Sequence, residues 1–252
     1  MLKFLNIASG SKGNATLIYD ESTLFMIDMG VSLKNLLEGL DKINRHIEDI
    51  EGTFITHEHI DHIKGVDFLF SRNIPVFTSK HTPLDESEHF DVGEEFHLGD
   101  FYIKSFHSSH DAADPVGYII RHKDESLLYL TDTGEISETN LLLMKDCTYY
   151  IIESNHDLMM LMKSSRPMAL KERIHSDHGH LSNSESVHCL ASVIGENTKA
   201  IYLAHISEEC NTPSLAINTY RQYLSETGVD LSKLQILALK QHEMTFGGDD
   251  ED

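Results

Sequence analysis

The run GTFITHEHIDH at residues 52–62 constrains this chain more than any other stretch. GTFIT has the pattern of a short β-strand, and THEHIDH, residues 56–62, then packs three histidines, a glutamate and an aspartate into seven positions. Side chains two apart on an extended chain point the same way, so His57 and His59 can reach one metal ion. Asp61 and His62 follow where the chain turns toward a helix, which aims them differently and suits a second ion. Imidazole nitrogens with a carboxylate match zinc, manganese or iron better than calcium, which prefers oxygen ligands. A polar surface loop is the bland alternative, and the full HxHxDH pattern at the end of a strand weighs against it.

A dinuclear site needs further ligands from other strand ends. Apolar runs precede His110 in HSSHDAADPVGY, Asp132 in LLYLTDTG and His205 in IYLAHIS, so each is expected at the rim of a core strand. Asp132, before Thr133 and Gly134, could be only a turn residue, and His107 is a rival to His110. Three independent coincidences are less credible than one site.

The periodicity along the chain switches repeatedly between two and 3.6. LKFLNIA, ATLIYD and STLFMID read as strands, with a hairpin turn at Asp20 and Glu21. VSLKNLLEGLDKI reads as an amphipathic helix, and IKGVDFLFSRN as another. PVFTS, FHLGDFYIKSFH, GYIIRH, SLLYLTD and CTYYIIES give more strands, followed by helices around 156–164, 167–175 and 183–194. KAIYLAHIS is a strand, TPSLAINTYRQYLSETG a helix and QILALK a last strand. No repeat, linker or boundary is visible, so residues 1–246 read as a single domain, with GGDDED at 247–252 as an acidic, disordered tail. Many strands and fewer helices suit two sheets packed face to face with helices outside.

The 252 residues carry 20 basic and 41 acidic side chains, a net charge of −21. Such a surface disfavours loose adsorption to nucleic acid, because Lys and Arg supply nearly all non-specific affinity; bound cations would change that locally. Cysteines at 147, 189 and 210 have no CxxC spacing, which argues against a disulfide framework, a disulfide-linked partner or a thiolate zinc site. No signal peptide and no membrane-spanning run is evident, and the expected location is cytoplasmic.

In order and spacing, HxHxDH at 57–62, His110, Asp132 and His205 resemble the metallo-β-lactamase superfamily, whose fold is an α/β, four-layer αββα sandwich. Five segments, ASGSKGN at 8–14, HDAADPVGY at 110–118, ESNHDLMML at 153–161, LKERIHSDHGHLSN at 170–183 and LAHISEECNTP at 203–213, are similar to the YycJ/WalJ (VicX) subfamily of metal-dependent nucleases. The resemblance implies that His57, His59 and His110 bind one ion, Asp61, His62 and His205 a second, with Asp132 bridging. It also implies a 5′→3′ exonuclease acting on double-stranded DNA, with a metal-bridging hydroxide as nucleophile.

In that scheme two divalent ions hold the nucleophile and stabilise the attacking and leaving oxygens, and Asp61 orients the water. In related nucleases a Glu–His pair stands beside the site. Glu153 of ESNHD and His180 of GHLSN match those positions, with His180 as general acid; a purely structural pair is the alternative. Ser11, Lys12 and Asn14 lie in a small-residue stretch that reads either as a plain glycine-rich hairpin turn, the commoner case, or as a backbone cradle for a phosphate. His156 could line the site, and Asp157 could line it or cap a helix. Lys163, Arg166, Lys171 and Arg173 gather basic charge where a DNA backbone could run, or simply form solvated helix faces. Met159, Met160 and Met162 read as core packing.

Other reaction classes remain open. The same ions would serve a hydrolase of small cyclic phosphodiesters, thioesters or lactones, which the acidic surface favours, or a tRNA-processing-like endoribonuclease. A metal-binding regulator without turnover would be expected to lack some of these residues.

Overall fold

Alternation along the strands decides the architecture. The computed structural model describes residues 1–248. Six strands come first: β1 (Lys3–Ala8), β2 (Ala15–Tyr19), β3 (Leu24–Ile27), β4 (Thr53–Phe54), β5 (Val76–Ser79) and β6 (Glu88–Phe90). Then follow β7 (Glu95–Leu98), β8 (Phe101–His107), β9 (Val116–His122), β10 (Glu125–Leu130), β11 (Tyr149–Glu153), β12 (Ala200–Ala204), β13 (Gln235–Ala238) and β14 (Thr245–Gly248). Among the described residues they pair into two seven-stranded sheets, ordered β14-β1-β2-β3-β4-β5-β6 and β13-β12-β11-β10-β9-β8-β7. The first is antiparallel from β14 to β3 and parallel from β3 to β6. The second repeats the scheme, antiparallel from β7 to β10 and parallel from β10 to β13.

Adjacent residues on a strand enter different cores. Phe4, Ile18, Phe25 and Phe54 meet Phe101, Tyr118, Ile120, Tyr129 and Tyr149 between the sheets. Their neighbours Leu5, Leu17 and Met26 lie instead under α1 (Leu33–Lys42) and, past the short α2 (Ile60–Ile63), α3 (Val66–Ser71), packed on Leu36, Leu40 and Leu69. On the other sheet Leu128, Leu130, Tyr150 and Ile152 meet Met144 of α4 (Glu138–Met144). Beyond α5 (Leu158–Lys163) and α6 (Met168–Ile174), the same outer core takes Val187 and Leu190 of α7 (Asn183–Ala191) and Tyr220 and Leu224 of α8 (Pro213–Glu226). The layers are therefore helix, sheet, sheet, helix, as expected.

Several local readings change. The helix expected over IKGVDFLFSRN breaks at Lys64–Gly65 into α2 and α3. Gly65 donates to Met29 O at 2.8 Å, and a Cβ there would meet Val31 O at 2.7 Å, so the chain is pinned against the β3–α1 loop. Strands β6 and β14 and helix α4 were not anticipated. β14 takes Gly247 and Gly248 from the segment read as a tail, and residues 249–252 lie outside the described residues. Met159 is 60% and Met162 38% exposed instead of core, because α5 buries only Leu161.

Candidate metal centre

The carboxyl ends of the parallel strands share one rim, the usual position for a site in such sheets. Asp28, Asp132 and His205 sit just past the ends of β3, β10 and β12 with φ of +59°, +54° and +51°. Non-glycine residues reach this region at a cost of order 1 kcal/mol or more, and hold it only where the surroundings fix it.

At this rim the seven residues expected as ligands come together. His57, His59 and His110 each offer an atom within 4.8 Å of the others; so do Asp61, His62 and His205, and so do His57, His62 and Asp132. Each set could hold a metal ion. Nε2 of His57, Nε2 of His205 and Oδ2 of Asp132 are buried without a hydrogen-bond partner; Oδ2 of Asp132 approaches His62 Nε2 to 3.2 Å without bonding geometry. Buried unpaired polar atoms cost about 1–3 kcal/mol each, and converging nitrogens with a carboxylate oxygen fit a divalent cation.

Nδ1 is engaged in four of the imidazoles, His57, His62, His110 and His205, which turns Nε2 of each inward. His62 Nδ1 donates to Asp28 Oδ2 at 2.8 Å, His205 Nδ1 to Glu153 Oε1 at 2.9 Å and His110 Nδ1 to Gly179 O at 3.0 Å. His57 Nδ1 lies 3.1 Å from Thr56 Oγ1. Asp28 in turn accepts from Thr56 N at 2.8 Å. Glu58 Oε1 accepts from Ala113 N at 2.8 Å, joining the two loops that carry His59 and His110. Asp28, Thr56 and Glu58 were given no role by sequence reasoning.

Carboxylates and imidazoles at this rim shift one another's proton affinity. Burial alone would raise the Asp132 carboxyl, but the imidazoles of His205 and His62 hold it well below the usual range. Burial would lower His62, yet Asp28 and Asp132 carry it to about 10. His205 is likewise raised well above an ordinary imidazole, against its burial, by Asp132, Asp61 and Glu153. A divalent ion would take over the counter-charge these protons supply.

Glu153, wholly buried, links this centre to His180. Its Oε1 accepts from His180 Nδ1 at 2.8 Å as well as from His205, while Oε2 accepts from Thr133 N at 2.9 Å and Leu181 N at 3.2 Å. Burial opposes its charge, but His180 and His205 bring it down to about 2. His180 lines a cavity of about 230 Å³ together with His59, Asp61, His110, Asp132 and His205.

A profile of the beta-lactamase superfamily domain matches residues 25–206. The chain belongs to that superfamily. It is 36% identical over 239 residues to the exodeoxyribonuclease YycJ of Bacillus anthracis, covering 90% of both chains. It is also 36% identical over 246 residues to the exodeoxyribonuclease WalJ of Streptococcus pneumoniae serotype 2 (strain D39), covering 90% of this chain and 91% of the relative. Among solved structures, the metallo-beta-lactamase fold protein YhfI from Bacillus subtilis superposes with a TM-score of 0.71 at 13% identity, over 98% of this chain and 100% of that one. That last likeness is one of fold. This superfamily member is a metal-dependent hydrolase.

The residues read as substrate contacts divide. Ser11 and Arg166 line the cavity of this superfamily member. Lys12 Nζ pairs with Glu208 Oε2 at 2.5 Å, Arg166 Nε with Glu209 Oε2 at 2.9 Å, and Lys163 is exposed at the end of α5. Asn14 and His156 are 1% and 0% exposed. Asn14 donates its backbone N–H to Asp61 O at 2.7 Å and places its amide 3.0 Å from His62 Nε2. Lys171 leaves the basic group, since its buried Nζ donates to Met162 O at 2.7 Å and Ser164 O at 2.8 Å. Asp157 caps α5, accepting from Met160 N at 2.8 Å. His107 stays outside the centre with its side chain 71% exposed. Cys147, Cys189 and Cys210 are free, and no described helix is long and apolar enough to cross a membrane.

Proposed function

We propose that this hydrolase is a dinuclear phosphodiesterase that digests double-stranded DNA from its 5′ ends. The observation that carries the reading is the Glu153 oxygen shared by His180 and His205, because it puts a second imidazole, outside the His57, His59, His110 and Asp61, His62, His205 sets, on the wall of the same cavity. Those sets would each hold one ion, zinc, manganese or iron, with Asp132 shared between them. When bound, the ions would supply a water that ionises near neutral pH and positive charge for the phosphoryl oxygens. Asp61 would accept a hydrogen bond from that water, its backbone fixed by Asn14. His180, oriented through Nδ1 by Glu153, would pass a proton from Nε2 to the leaving 3′-oxygen. Arg166 and Lys12 would exchange their Glu209 and Glu208 partners for backbone phosphates, with Ser11 and Lys163 beside them.

The names of the two relatives at 36% identity support a DNA substrate, and DNA in turn supports a cytoplasmic location. The net charge of −21 favours the second reading, a small-molecule metallohydrolase. Metal analysis with a test of bis(p-nitrophenyl) phosphate and duplex DNA separates them. Two ions per chain, fewer in Asp132→Asn, and cleavage of both substrates are expected. Hydrolysis of the small diester by a metal-replete protein that leaves DNA intact would transfer the assignment to small substrates.

A further inference from the structure

His107 lines a second cleft, of about 560 Å³, together with Ser108, Ser109 and His110. His110 also lines the metal cavity, so the two spaces adjoin. The 108–109 segment is pinned. Ser108 Oγ donates to Asp132 O at 2.8 Å, Ser109 Oγ to Asp177 O at 2.7 Å, and Gly134 N to Ser109 O at 2.8 Å. The cleft is therefore preformed against the same backbone that carries Asp132.

Its chemistry differs from that of the metal cavity. Phe106 and Leu143 offer apolar surface and Thr139 a hydroxyl, while Lys104, also in the lining, is paired through Nζ with Glu95 Oε1 at 2.9 Å, and Asn140 Nδ2 donates to His107 O at 2.8 Å. Glu135 is the single carboxylate among its lining residues, in a chain with 41 acidic side chains. Mixed apolar and neutral polar walls suit a flat, uncharged body with hydrogen-bonding edges, and the volume lies in the range of small-molecule sites, roughly 300–1,000 Å³. A phosphate attached to such a body would reach past His110 into the metal cavity.

We propose that this cleft binds the nucleoside part of the nucleotide next to the scissile phosphate, with His107 as one of its contacts. The inference rests on the phosphodiesterase reading, and its test has a binding readout independent of turnover. Thr139 is exposed on α4 and belongs to no part of the metal centre, so Thr139→Trp fills the cleft without touching the ligands; Leu143→Asp is a second, chemically different block. Metal-replete wild type and variants are titrated with deoxyadenosine, deoxyadenosine 5′-monophosphate and inorganic phosphate, and their metal content is measured. Both variants are expected to weaken the two nucleoside ligands about tenfold or more, with phosphate binding and metal content unchanged. Wild type that binds no deoxyadenosine, or variants that bind it as tightly as wild type, would overturn the cleft assignment even if duplex DNA is digested. Nucleoside binding that the variants lose, in a protein that leaves DNA intact, would support the cleft while removing the exonuclease reading.

Discussion

One oxygen of Glu153 receives hydrogen bonds from two imidazoles, so in the proposed scheme a substitution there would reach both metal retention and proton transfer. Glu153→Gln is expected to weaken metal binding about 10- to 100-fold, the usual effect of removing a partner that orients a ligand, and to lower kcat as well. His180→Ala is expected to keep its metal and lose about 10²- to 10⁴-fold in kcat. Calorimetric metal titration beside kcat distinguishes them; equal metal loss in His180→Ala would make His180 a ligand. The residues that meet at the rim were legible in sequence because HxHxDH is local and because His110, Asp132 and His205 each follow an apolar run. Asp28 follows one too: FMIDMG and LYLTDTG each run from an apolar stretch to an aspartate, one residue and a glycine, with Thr131 interposed in the second. Alone, such an aspartate reads equally well as a turn residue, and only its 2.8 Å contact with His62 separates the two.

Between elements, the loop after β3 is the seat of the ligand loop after β4. A Cβ on Gly30 would fall 1.6 Å from Asp61 O, a clash with backbone that no rotamer relieves. Gly30→Ala is therefore expected to push Asp61 out of register, costing about 1–3 kcal/mol or more and weakening the ion proposed for Asp61, His62 and His205; urea unfolding and metal stoichiometry would show it, and a wild-type metal content would contradict it. This contact was hidden in the sequence, where ASGSKGN and DMG lie far from HEHIDH. The missed elements have a different cause. β6 has three residues, two of them exposed, and β14 is TFGG, so neither shows an apolar alternation long enough to read. Lys171 was misread because its charge suggested solvent, whereas it holds the last carbonyls of α5, where a cation is favoured by the helix dipole.

At the scale of the molecule the two sheets repeat one scheme, three antiparallel steps followed by three parallel ones, although no repeat is visible in the residues. Asp28 and Asp132 follow the corresponding strands, β3 and β10, where each scheme changes to parallel. The packed interior also sets an acid limit. His156 is buried with both ring nitrogens unpartnered, and burial lowers it to about 4. Below the unfolded value of about 6.5 the unfolded chain takes up a proton that the fold refuses, so stability present above that pH is lost as pH falls toward 4, by roughly 3 kcal/mol. Metal-free His156→Leu is expected to lose less stability than wild type between pH 7 and 4.5 in urea titrations, and identical losses would rule out His156 as a cause. The net charge of −21 makes DNA digestion the boldest element of the functional reading, and direction of attack its sharpest consequence. The decisive measurement is digestion of linear duplex DNA labelled at the 5′ or the 3′ end by protein replete with Mn²⁺ or Zn²⁺, beside Asp61→Ala. Early release of the 5′ label as mononucleotide by wild type, and none by the variant, is expected; earlier release of the 3′ label, or no release by the metal-replete protein, would contradict a 5′→3′ exonuclease.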